Sequence, residues 1–132
     1  MENKKIIKVA IVGCGKIAEA HAEVIKSYPS LVTLVASCDT ELLMARQLAE
    51  RFDAKSFYDD LAKMLKEQHP DVVHITTPPQ SHYELAKTCL EAGCHVFVEK
   101  PFTVNAAESR DLVDLAISKN LKLTIGTDEQ FS

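Results

Sequence analysis

A chain of 132 residues, 46% of them hydrophobic, is long enough for one domain with a hydrophobic core. Fifteen Lys and Arg against 19 Asp and Glu leave a net charge of −4, with no basic footprint for nucleic acid or an anionic membrane surface. No apolar run approaches the ~20 residues of a membrane span, and Met1-Glu2-Asn3-Lys4-Lys5 leads into a short strand instead of a signal-peptide core, so a cytoplasmic protein is expected.

The first strand, Ile6 to Val12, breaks into Gly13-Cys14-Gly15-Lys16-Ile17-Ala18, a G-x-G-x-x-A pattern. Each small residue has its own task in a dinucleotide fingerprint. Gly13 allows the tight turn, Gly15 lets a pyrophosphate approach the backbone, and Ala18 lets the next helix pack closely. The helix that follows offers unpaired N–H groups and a partial positive charge to phosphates. That helix is expected over Lys16 to Ser27, with Ile17, His21, Val24, Ile25 and Tyr28 at helical spacing. Pro29-Ser30 stops it.

A second apolar strand, Leu31 to Cys38, ends at Asp39, 24 positions after Gly15 (39 − 15). Roughly 20 are expected for the acid that binds the adenosine ribose. A helix from Thr40 to Arg51 presents Ala45, Leu48, Ala49 and Phe52, and Lys55 to Tyr58 forms a short third strand. Asp59 is the expected N-cap of a helix over Asp60 to Gln68 that buries Leu61, Met64 and Leu65 and is closed by Pro70. Val72 to Ile75 is the fourth strand. The next helix begins near Pro79 and runs to about Ala92, with Gly93 as its stop. His95 to Val98 is the fifth strand, Asn105 to Lys119 a helix turning Leu112, Val113, Ala116 and Ile117 inward, and Leu121 to Ile125 the sixth strand, ending at Gly126.

Apolar strands alternating with amphipathic helices imply an α/β fold: a doubly wound parallel sheet of the Rossmann type in three α/β/α layers, strand order 3-2-1-4-5-6. Residues 1–132 read as one such domain. Ligands of this architecture lie over the carboxyl ends of the strands, at the switch point between strands 1 and 4. The short motifs fall at those ends: Gly13 to Ala18, Asp39, Thr76 to His82, and Glu99 to Pro101.

Thr76-Thr77-Pro78-Pro79-Gln80-Ser81-His82, the run His95-Val96-Phe97-Val98-Glu99-Lys100-Pro101-Phe102, the glycine turn and His21 together closely resemble the N-terminal domain of the glucose–fructose oxidoreductase, inositol dehydrogenase and MocA family. The resemblance covers essentially the whole chain, and the Glu-Lys-Pro motif is its most specific part. It implies an NAD(P)-dependent oxidoreductase that moves hydride between the nicotinamide and a sugar, sugar derivative or cyclitol. It implies that Gly13, Gly15, Lys16 and Ile17 surround the pyrophosphate, that Asp39 accepts hydrogen bonds from the ribose, and that Thr76, Thr77, Pro78 and His82 line the cleft. Glu99 and Lys100 are implied beside the nicotinamide ribose, with Lys100 as the catalytic residue reaching the substrate hydroxyl. A lysine in a desolvated cleft can share in proton transfer or polarise the forming carbonyl. A cis Lys100–Pro101 bond is one option for the turn that follows.

The other histidines read as structural: His21 packs or caps locally, His74 is a satisfied residue of a buried strand, His69 ends a helix and His95 starts a strand. No His or Cys has a metal partner at a convincing spacing, so no metal site is expected. Cys14, Cys38, Cys89 and Cys94 form no C-x-x-C pair and read as small apolar residues, the first two near the cofactor cleft. Asp39 favours the 2′-hydroxyl of NAD and repels the 2′-phosphate of NADP, and no arginine follows it directly; NAD is the expected cofactor.

The family carries a second α+β domain with most substrate contacts and a catalytic histidine, and this chain stops at Gly126 to Ser132, where relatives cross into it. Gln130 stands where many relatives have a basic residue. The expectation is a cofactor half that binds NAD without turnover, with surface near strands 5 and 6 open to self-association. The alternative is a stand-alone, non-catalytic NAD-binding sensor or regulatory module.

Overall fold

A computed structural model describes residues 5–126 and the backbone of 129–130. The Met1-to-Lys4 segment and Thr127, Asp128, Phe131 and Ser132 lie outside the described residues, and with them most of the expected crossing segment.

Strands β1 (Ile7–Val12), β2 (Val32–Cys38), β3 (Ser56–Tyr58), β4 (Val72–Ile75), β5 (His95–Val98) and β6 (Leu123–Ile125) form a parallel sheet in the expected order 3-2-1-4-5-6. A short β7 (Glu129–Gln130) extends the β6 edge in the antiparallel sense, which the sequence reading did not anticipate. Helices α1 (Lys16–Lys26), α2 (Leu42–Phe52), α3 (Leu61–Gln68), α4 (His82–Glu91) and α5 (Ala106–Ser118) connect the strands, with a single 3₁₀ turn at Pro79–Ser81 before α4.

Strand period two divides the core. Ala10, Val12, Val73, Ile75, Val96 and Val98 point to the face covered by α3, α4 and α5. Val9, Ile11 and Leu34 point to the face covered by α1 and α2, where small residues, Ala18, Ala22 and Ala45, bring the helices close to the sheet. On this second face β4 and β5 carry Val72, His74, His95 and Phe97, all half-buried, so the strands near that edge are not the fully apolar runs of a sheet covered on both sides.

Several helix faces differ from the expected ones. In α1 the buried set is Ala18, Ala22 and Ile25, while Ile17, Val24 and Tyr28 are exposed. The spacing alone allowed two adjacent stripes, and the alanine stripe wins because close packing on the sheet excludes larger side chains. Ile117 likewise faces solvent on α5, where Leu112 and Ala116 are buried and Val113 half-buried. The cap of α3 is Asp60, one residue later than expected, its side chain accepting from Lys63 N. Asn105 caps α5 in the same way through Glu108 N.

Candidate functional site

Parallel register lines up the carboxyl ends of the central strands, and backbone hydrogen bonds continue past them. Gly13 N donates to Cys38 O, Thr76 N to Val12 O, Glu99 N to Ile75 O and Gly126 N to Val98 O, all at 2.8–3.0 Å. Over these ends lies a cleft of about 550 Å³, lined by the turn from Val12 to Gly15, by Cys38 to Glu41, by Thr76, Thr77, Pro78 and Ser81, and by Met44, Asp59, Leu61 and Leu85.

The two glycines of the turn are there for different reasons. Gly13 has φ +92°, and a Cβ on it would stand 2.6 Å from Thr77 Cγ2 and 2.9 Å from the backbone of Thr76 and Thr77. It serves the fold. Gly15 is N-cap of α1 at φ −83°, a conformation open to any residue, and a Cβ there would meet nothing within 4 Å. Neither strain nor internal packing asks for glycine at 15; the bare backbone faces the open cleft. Gly15 gives α1 no side-chain cap, in contrast to α3 and α5.

Asp39 sits on the β2 side of the same cleft. Its Oδ2 accepts from Cys14 N at 2.8 Å and its Oδ1 from Glu41 N at 2.9 Å, while its own N–H donates to Tyr58 O. The carboxylate is therefore held against the glycine turn, and each oxygen keeps a further lone pair for a hydroxyl donor. Glu41 and Asp59 join Asp39 in the lining, and neither Lys nor Arg lines this cleft among the described residues. Burial, and next the Asp39 charge, push the Cys14 and Cys38 thiols up to about 12. All four cysteines are free, buried and protonated at neutral pH, as small core residues would be.

The β4–β5 side is built from side chains. Thr76 Oγ1 donates to Gly13 O, and Ser81 Oγ donates to Thr77 Oγ1 at 2.6 Å. His82 is 1% exposed, with its ring nitrogens beside three carbonyls: Nε2 lies 2.7 Å from Thr77 O, and Nδ1 lies 2.9 Å from both Pro101 O and Phe102 O. It ties the loop after β4 to the loop after β5 from below, and the lining of the cleft comes from Thr77, which it supports. Glu99 and the exposed Lys100 extend from the end of β5, and the Lys100–Pro101 bond is cis. Lys16 and Ile17 are exposed at the first turn of α1; like Glu99 and Lys100 they are not among the residues lining this cleft, and Lys16 lines an adjoining hollow with Gly15, Glu19 and Arg51.

His21 is no local cap. Its Nε2 lies 2.6 Å from Glu99 Oε1 and its Nδ1 2.8 Å from Nδ1 of His74, which is thereby satisfied as expected. Sequence reading also missed Asp59, Met44 and Leu85 in the lining. Asp59 follows the end of β3 and was open to detection on that ground, whereas Met44 and Leu85 carry no signal beyond helical apolar spacing. Among the described residues no group of three His, Cys, Asp or Glu could hold a metal ion, and no helix is long and apolar enough to cross a membrane.

Comparison with known proteins agrees with this geometry. The model of an oxidoreductase family, NAD-binding Rossmann fold, the GFO_IDH_MocA family, matches residues 7–127. D-glucoside 3-dehydrogenase of Escherichia coli is 40% identical over 111 residues, 83% of this chain and 31% of that protein. The WlbA dehydrogenase of Chromobacterium violaceum, solved with NADH and UDP-GlcNAcA, superposes with a TM-score of 0.87 at 29% identity, over 95% of this chain and 36% of that one. The scyllo-inositol dehydrogenase of Lactobacillus casei, solved with NAD(H) and scyllo-inositol, gives a TM-score of 0.84 at 26% identity, over 92% and 36%. The chain spans about a third of the length of the relatives it matches.

Proposed function

The chain belongs to the GFO/IDH/MocA oxidoreductase family as its NAD-binding Rossmann domain, and from that premise we propose that it is the cofactor half of an NAD-dependent dehydrogenase acting on a sugar, a sugar derivative or a cyclitol. The observation that carries the site assignment is Gly15. Open space above its Cα, at the uncapped start of an eleven-residue helix, fits a pyrophosphate oxygen approaching the backbone N–H groups. The donor set around it fits the rest of a dinucleotide. Asp39 on the β2 side accepts from ribose hydroxyls, and the acidic trio Asp39, Glu41 and Asp59 opposes a 2′-phosphate. Thr76, Thr77 and Pro78 line the passage over the switch point, with His82 fixing the Thr77 carbonyl from beneath. Lys16 and Ile17, in the first turn of α1 after Gly15, are assigned to the same pyrophosphate.

The second half of a dinucleotide then lies over β4 and β5, where Glu99 and Lys100 emerge. Bound nicotinamide supplies the hydride acceptor or donor. Lys100, exposed at the strand end, is assigned to the substrate hydroxyl, where it shares in the proton transfer or polarises the carbonyl. The substrate itself calls for groups beyond these residues. Relatives solved with UDP-GlcNAcA and with scyllo-inositol suggest polyhydroxylated rings as the substrate class.

Calorimetric titration of NAD and NADP into the chain tests this reading. NAD is expected to bind and to bind more tightly than NADP, and a panel of polyols added with NAD is expected to yield no NADH. Tighter NADP binding contradicts the placing of Asp39, and NADH formation by these residues alone contradicts the division into halves.

A further inference from the structure

Beneath the β4–β5 side of the cleft, three polar side chains from distant parts of the sequence meet in a line: Glu99, His21 and His74. Phe97 packs against both imidazoles, its ring 5.3 Å from that of His21 and stacked 5.0 Å from that of His74. A Cβ at position 126 would stand 2.7 Å from Glu99 Oε2, so the glycine that follows β6 makes room for this carboxylate. The hydrogen positions follow from the donors and acceptors. A carboxylate only accepts, so His21 carries a proton on Nε2. The Nδ1···Nδ1 contact needs one hydrogen. When His21 is neutral, His74 supplies it from Nδ1. When His21 takes a second proton, His21 donates and His74 holds its own proton on Nε2. Both states keep every contact, so the pair takes up a proton without breaking the line. Burial, and next the His21 charge, hold His74 down to about 4, so His74 stays neutral in either state.

We propose that His21, backed by His74, is a positioning residue that holds Glu99 at the nicotinamide end of the cleft and, when protonated, cancels its charge, so that this end distinguishes the cationic oxidised nicotinamide from the neutral reduced one. The proposal rests on the dinucleotide reading above. With His21 neutral the Glu99 carboxylate is uncompensated and attracts the cationic ring; with His21 protonated that attraction is lost, and the neutral reduced ring responds to neither change. The titratable groups facing His21 are His74 from β4 and Glu99 from the end of β5; Phe97 of β5 brings no charge, and the exposed Lys100 adjoins Glu99 in the chain.

The test is the dissociation constants of NAD⁺ and NADH at pH 6 and pH 8 for the native chain, His21→Ala and His21→Gln. In the native chain NAD⁺ binding is expected to weaken by about threefold or more from pH 8 to pH 6, against little change for NADH, the size expected for one partly screened charge. Gln keeps an N–H for Glu99 but does not titrate. It is expected to restore NAD⁺ affinity at pH 8 relative to the alanine variant without restoring the pH dependence. A native NAD⁺-to-NADH ratio that is constant with pH, or a glutamine variant that keeps the native dependence, overturns the proposal while leaving the dinucleotide site intact. Binding of neither cofactor overturns both. Long-range ¹H–¹⁵N spectra of the imidazoles need no cofactor. They are expected to show Nδ1–H on His74 at pH 8, whereas Nε2–H on both rings overturns the line of hydrogen bonds.

Discussion

The two sides of the cleft are built by opposite means. On the β1–β2 side the chemistry is in the backbone: a glycine turn, an uncapped helix start, and a carboxylate, Asp39, pinned by two backbone N–H groups within a few residues of the turn and of itself. On the β4–β5 side it is in side chains, Thr76, Thr77 and Ser81 in the lining, and behind them a line that reaches across 53 to 78 positions of sequence, His21 to His74 and His21 to Glu99. The first side is defined by a few φ/ψ values of the turn and by one carboxylate that accepts from Cys14 N and Glu41 N. The second depends on α1, β4 and the end of β5 being brought together.

The comparison breaks most sharply at the two glycines. Gly13→Ala must place a Cβ against the Thr76–Thr77 backbone at positive φ, and is expected to lower unfolding free energy by about 2–4 kcal/mol, read by urea titration. At Gly15 an added Cβ meets no atom within 4 Å. Gly15→Val is expected to lower unfolding free energy by no more than about 1 kcal/mol, the preference for Gly over Val at an N-cap, and yet to weaken NAD binding by at least about tenfold, because the side chain fills the pyrophosphate approach. Equal losses of stability in the two variants, or none in the first, would erase the distinction between a glycine kept for the fold and one kept for the ligand.

Acid probes the other side. His74 is held down to about 4 against an ordinary value of 6.5, so the unfolded chain binds the proton more readily. Stability is full above about pH 6.5 and falls as the pH drops toward 4, by up to about 3 kcal/mol from this residue. His74→Asn is expected to flatten that window in urea midpoints measured from pH 7 to pH 4. The smallest expected effect is on cofactor choice. Asp39→Asn keeps a side-chain acceptor for the Cys14 amide and removes a negative charge, so the preference for NAD over NADP should narrow by about 1–2 kcal/mol in titration.

What the sequence disclosed follows the same division. Strand order, helix count and the fingerprint were legible because they depend on local periodicity and on short-range spacing, as in Gly13 to Ala18 and Asp39. The faces of α1 and α5 were half legible: Ile17, Val24 and Ile117 satisfy helical spacing but face water, because contact distance to the sheet, set by alanines, decides the stripe. His82 was singled out at the cleft, and its burial beneath the loops, on three backbone carbonyls, has no signature in spacing. His21 and His74 were assigned separate structural roles. A polar residue on a helix face and another inside an apolar strand each needed a partner, and nothing in one sequence says that each is the other's.

Bare backbone at Gly15, the start of α1 and the Asp39 carboxylate are proposed to form one binding surface. Amide chemical shifts of the ¹⁵N-labelled chain during NAD titration test it most directly. Saturable changes at Cys14, Gly15, Lys16 and Ile17 together with Asp39, lost in Gly15→Val, are the expected result. Saturation with these amides unmoved, or with equal changes in Gly15→Val, contradicts it.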